Sequence, residues 1–326
     1  MKLVTVADIA LAREPRDHLV GSWLWIAPGG LHFAYPTEGF VHVHGLDGVA
    51  QAAIVLPADA RLPERRDFHG DVVAGLQAGA LHPSGRRIAM ATHERLVLLD
   101  AEHGQLAERS LFDAGGDDDD GWFGDPGALA FSADGALLWF ATTHADGIAR
   151  MYGLDAATLA SRGQVDLVEF PPPGDFELAV HPTRHEVLWT VACGQDGGGF
   201  ARVALQDGAL VAGPTPRWVA DRHFFVLGFR PDGCALVLAA GQLETQDGAV
   251  LLASQPAGGT HGALVGAQLL IDREDREQGG GYHVLDATSF SAQGELDPEG
   301  GVFALASGRV IITRKDSLRI ATTSAD

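Results

Sequence analysis

Apolar residues in this chain gather into short runs, each closed by a polar turn, without the spacing of an amphipathic helix. Residues 128–131 (ALAF), 136–142 (ALLWFAT) and 148–154 (IARMYGL) show the pattern most clearly. Ser132-Ala133-Asp134-Gly135 joins the first two, a turn signal between segments of strand length. The pattern predicts three antiparallel strands within about thirty residues.

The same punctuation recurs along the chain. Leu81-His82-Pro83-Ser84-Gly85, Phe131-Ser132-Ala133-Asp134-Gly135, Val180-His181-Pro182-Thr183-Arg184 and Phe229-Arg230-Pro231-Asp232-Gly233 follow one another at a period of about 50 residues. Proline presets φ, Asp or Ser bonds nearby amides, and glycine accepts the positive φ that reverses the chain. Asp134, Asp232 and Ser84 therefore read as turn residues first. A constant period holding several strands is the signature of a β-propeller.

The expected architecture is all-β: a single β-propeller domain of six blades, over residues 20–57, 71–112, 125–168, 175–219, 223–271 and 281–323. A strand at residues 2–6 is expected to pair with residues 318–322 in the C-terminal blade, because ring closure removes two exposed sheet edges. After the fifth unit the period loosens. Phe290-Ser291-Ala292-Gln293-Gly294 comes later than the period allows, and an insertion over residues 272–281 accounts for the delay. A seventh, degenerate blade within residues 230–290 is the alternative.

The turns at 131–135, 82–86 and 230–233 resemble the "SPDG" turns of the WD40/YVTN-like β-propeller superfamily. The similarity covers residues 81–233 best. No Trp-Asp dipeptide ends a blade, so the repeats are of the loose, non-standard kind. The resemblance implies a fold and, in general, loops on one face that meet ligands or partners. Propeller lactonases share the His-Pro-x-Gly-Arg style of repeat seen at His82–Arg86, which implies a second class: a small-molecule hydrolase acting at the mouth of the central channel.

Composition narrows the function. A net charge of −20 with no compensating Lys/Arg block opposes nucleic acid and anionic membrane surfaces. No apolar run reaches the length of a membrane span, and Asp8 interrupts the only candidate leader. Cys193 and Cys234 are the only cysteines and lie in apolar strand contexts, which fits free buried thiols in a reducing, cytoplasmic setting.

Candidate chemistry concentrates in the segments that lead into the inner strands. Asp71, Asp125 and Asp175 each follow a glycine and would form an arc at the channel mouth, able to hold a divalent cation or to cap turns. Asp117-Asp118-Asp119-Asp120-Gly121 fails as an EF-hand loop, because Gly116 and Gly127 fall where carboxylates are required. Beside it, Trp122-Phe123 cannot both alternate into a strand and reads as a rim contact or an exposed interface anchor. His42 and His44 share a strand face as paired zinc ligands would, yet no third ligand is apparent. His185-Glu186 lacks the second histidine of a zinc-protease helix, Gly-x-Ser-x-Gly is absent, and the glycines of 194–199 lack the Lys-Ser/Thr of a phosphate loop.

With no complete catalytic constellation, the expectation is a non-enzymatic interaction or scaffold module without a resident cofactor, binding another protein through its charged loop face. The residues expected to carry that contact are Arg65, Arg66, Asp119, Trp122, Phe123, Asp221 and Arg273.

Overall fold

The computed structural model describes residues 2–11, 23–37, 39–57, 64–66, 72–74, 78–91, 95–110, 127–143, 148–169, 175–192, 198–214, 224–239, 242–252, 262–273, 281–298, 300–314 and 316–324. They form seven four-stranded antiparallel sheets and one two-stranded ribbon. Blade one comprises Trp25–Ile26, His32–Thr37, Phe40–Gly45 and Ala50–Val55; blade two, Ala78–Leu81, Arg87–Ala91, Arg95–Asp100 and Gly104–Ser110. Blade three comprises Ala128–Phe131, Leu137–Thr143, Ile148–Asp155 and Ser161–Glu169; blade four, Asp175–Val180, Glu186–Ala192, Gly198–Gln206 and Ala209–Ala212. Blade five comprises Phe224–Phe229, Ala235–Ala239, Gln242–Thr245 and Val250–Leu252; blade six, Gly262–Val265, Gln268–Asp272, Tyr282–Asp286 and Ala292–Leu296. Blade seven holds Gly301–Ala304, Arg309–Thr313 and Ser317–Ser324, with Lys2–Ala10 as its outermost strand. Lys2 lies opposite Ser324 and Ala10 opposite Ser317.

The blade count corrects the sequence expectation of six. Blade six begins at Gly262, inside the unit expected at 223–271, with a hairpin that pairs Val265 with Gln268 across Gly266-Ala267. A positive φ at Gly266 makes this two-residue turn without a proline, so the repeat's usual punctuation is missing. Residues 273–281 join the second and third strands of blade six. Phe290 to Gly294 does not lead into a new blade: Asp286 N–H bonds Ser291 O across the last hairpin of blade six.

The apolar faces of neighbouring blades meet in seven clusters, one at each junction. Trp25, Val43 and Ile54 of blade one meet Leu81, Ile88 and Met90 of blade two. Leu236 and Leu238 of blade five meet Leu269 and Ile271 of blade six. At the junction of blades seven and one, Ile311, Leu318 and Ile320 meet Leu24, Phe33 and Tyr35. A strand in the middle of a blade must be apolar on both faces to serve two junctions, which is why Arg95–Asp100 and Ala235–Ala239 read as continuous buried runs rather than alternating ones. The outermost strands are the exposed edges. In six blades their pairing contains a register shift, and such irregularity twists an edge away from chance partners.

Candidate functional site

In a four-stranded meander the first-to-second and third-to-fourth turns fall at one end, and the remaining connections at the other. Here the first end is built of tight, satisfied turns. Ser132 Oγ donates to Asp134 Oδ1 (2.6 Å), which also accepts from the Ala136 amide (3.0 Å), and Asp232 accepts from the Cys234 amide (2.9 Å). Burial alone would raise the Asp134 carboxyl, but its bonds from Ser132, Ala136 and His185 bring it down to about 2. Leu-Asp-Ala recurs at 99–101, 154–156 and 285–287. In each case the carboxylate accepts from the amides two and three residues on, as Asp155 does from Ala157 and Thr158 (both 3.1 Å).

Histidines on this end link one blade to the next. His82 Nδ1 accepts from the Ser84 amide (3.1 Å), so the proton of the neutral ring sits on Nε2, which donates to Gly135 O of blade three (3.1 Å). The same ring stands edge-on to Phe131, centroids 5.0 Å apart, and lies so close over Gly135 that a side chain there would collide with it. His181 repeats the device toward blade five, with Nδ1 accepting from the Thr183 and Arg184 amides (3.1 and 3.0 Å) and the ring against Phe229 and Gly233. Arg184 Nε also approaches His181 Nε2 at 2.9 Å. Burial lowers the pKa of both histidines, with the Arg184 charge adding to the effect at His181.

At the opposite end the outermost strand of each blade finishes, the inner strand of the next begins, and the second and third strands of a blade are joined. Of the residues expected to contact a partner, Arg65 and Arg66 lie in a ribbon, Glu64–Arg66 paired with Val72–Ala74, within the link between blades one and two. A short strand was not expected there, since ERR carries no apolar alternation. Arg273 follows the second strand of blade six, where its amide bonds Gly281 O (2.8 Å). Its guanidinium pairs with Glu295 (2.9 Å) and Asp297 (2.6 Å) and its side chain is 26% exposed. Any partner carboxylate must therefore share Arg273 with this acidic pair. Asp119, Trp122, Phe123 and Asp221 lie outside the described residues, as do Asp71, Asp125 and Cys193. Asp175 opens the inner strand of blade four, opposite Ala192.

The remaining candidate groups have structural partners. His44 Nδ1 bonds Gly48 O and His42 Nε2 bonds Thr37 Oγ1, both at 3.0 Å, while their rings stack on Phe33 and Tyr35. Burial, with the neighbouring His44, lowers the His42 pKa. His185 Nε2 contacts Asp134 (2.9 Å), and buried Glu186 pairs with Arg202 (2.9 Å) and Arg184 (3.5 Å). Among the described residues no three His, Cys, Asp or Glu side chains converge as metal ligands would. Cys234 is free and half-buried, and burial pushes its thiol up.

The inner strands enclose a channel of about 830 Å³, lined by blades one to five and seven. Its apolar lining includes Trp23, Ile26, Phe176, Leu178 and Phe303, with Trp25 almost fully buried behind them. Two of its rings lie against glycines of the following or preceding blade, Trp25 against Gly79 and Phe176 against Gly127, each leaving no room for a β-carbon. Phe176 in turn meets Trp189 edge-on at 5.3 Å.

Solved structures share this arrangement. The chain is similar to the WD40 domain of SCAP from fission yeast, with a TM-score of 0.51 and 7% identity over 99% of this chain and 98% of that one. It is likewise similar to Kuenenia stuttgartiensis hydrazine synthase, with a TM-score of 0.57 and 12% identity over 97% and 99%. The chain has a WD40-like β-propeller fold. At these identities the likeness concerns fold alone. No family model matches the sequence, and no curated protein matches it. Among the described residues no helix is long and apolar enough to cross a membrane.

Proposed function

We propose that this WD40-like propeller is a non-enzymatic interaction module that docks another protein on its loop-bearing end. One observation carries the reading. The strand order gathers at one end the strand ends from which the inter-blade segments leave, while the turns described at the other end are short and hydrogen-bonded. Loops on a rigid scaffold are free to vary and to bind, and a tryptophan beside a second aromatic is the composition of an interface anchor. Arg65, Arg66, Asp221 and Arg273 supply the charged rim, and the net charge of −20 selects partners with a basic face. The pairing of Lys2–Ala10 with Ser317–Ser324 joins the chain ends within one blade, and we infer that it closes the ring and gives the loops their rigid base.

The test is capture from cells in which the protein is native, comparing the full chain with a Trp122→Ala/Phe123→Ala variant. Loss of at least one partner from the variant, with unchanged folding, is expected. Identical partner sets from the two proteins would sink this site.

A further inference from the structure

The channel differs in chemistry from the loop face above it, and it is a second place where a ligand could bind. Its volume, about 830 Å³, lies within the range of small-molecule sites, about 300–1,000 Å³. Blades two and three line it with small residues, Ala78, Gly79, Gly127, Ala128 and Ala130, while the flanking blades one and four contribute Trp25 and Phe176. Both rings are held against glycine backbone, so the aromatic wall is in place before any ligand arrives and little side-chain ordering remains to oppose binding.

Trp23, Ile26, Phe176, Leu178 and Phe303 offer a ligand ring and aliphatic surface beside the polar part of the wall, and covering that apolar surface is favourable. Among the described lining residues Glu177 alone is charged. With the charge of −20 on the whole chain, it disfavours anions.

We propose that the channel is a binding site for a planar, largely apolar small molecule of neutral or cationic charge, seated against the half-buried Phe176 ring and the small-residue wall of blades two and three. This site is separate from the protein-docking end, so partner capture and channel binding can fail independently.

The test uses N-phenyl-1-naphthylamine, a neutral aromatic dye whose emission rises in apolar surroundings. Titration of the full chain should saturate at one dye per chain and quench tryptophan emission. Ala128→Phe and Ala130→Phe, made separately, place a ring into the channel from half-buried positions on its wall. Each should weaken the dye at least tenfold while far-UV circular dichroism and the thermal midpoint stay near wild type. Absence of saturable binding to the wild-type chain overturns the proposal. So does unchanged affinity in either folded variant. If one variant does not fold, the other decides the question.

Discussion

Replacing His82 with alanine tests the inter-blade histidine link quantitatively. The change removes the Nε2–H bond to Gly135 O (3.1 Å), worth about 1 kcal/mol net. It also removes the edge-on contact with Phe131 at 5.0 Å, worth about 0.5–1.5 kcal/mol. The ring is half-buried, so the expected loss is about 2 kcal/mol for the two terms together. For a chain of this length that corresponds to a fall of about 3 °C in the thermal midpoint.

The same link has a definite pH signature. In the folded state the His82 and His181 pKa values are lowered, by burial first, below the ordinary histidine value of 6.5. Nδ1 of each ring faces a backbone amide donor, so a second ring proton would oppose that donor. The unfolded chain thus binds more protons as pH falls below 6.5. Stability is fully present above that value and is lost as pH falls through the lowered folded values. Thermal unfolding from pH 8 to pH 5 should show the decline in wild type and a shallower one in His82→Ala/His181→Ala. Equal slopes for the two proteins, or a midpoint for His82→Ala at pH 8 within 1 °C of wild type, about a third of the expected fall, would refute the assignment.

Two further outcomes follow from the packing. Gly127→Ala sets a β-carbon into the Phe176 ring, an overpacking that should cost about 1–3 kcal/mol; denaturant unfolding measures it, and a neutral result would mean that Phe176 is free to turn away. Deleting residues 1–10 exposes Ser317–Ser324 as an unpaired edge and strips Ala7 and Ile9 from the junction of blades seven and one. Light scattering should then show self-association, and a monomeric, equally stable truncation would remove the N-terminal strand from ring closure.

The all-β class and the repeat were legible because turn chemistry is local. Proline, Asp and glycine determine the hairpins at 82–85, 132–135 and 230–233 through their own φ preferences and side-chain acceptors, whatever surrounds them. The blade count was harder to read. The Gly266-Ala267 hairpin and the Leu305 to Gly308 turn use positive φ at Gly266, Ser307 and Gly308 instead of proline. The missing blade did leave a local trace at its other end. Leu285-Asp286-Ala287 repeats the triplets at 99–101 and 154–156 and marks the third strand of blade six.

Other features were decided only by tertiary structure. Arg273 meets Glu295 and Asp297 because a hairpin brings the ends of three strands of blade six together, a pairing that spacing along the chain does not encode. The channel depends on Trp25 lying over Gly79 and Phe176 over Gly127, contacts between residues in different blades. Sequence by itself determined the strands and turns wherever the proline, Asp and glycine punctuation is present, since those choices rest on each residue's own backbone and side-chain preferences. Which faces meet, and the space left between them, is set by the shapes of side chains that touch only once the ring has formed.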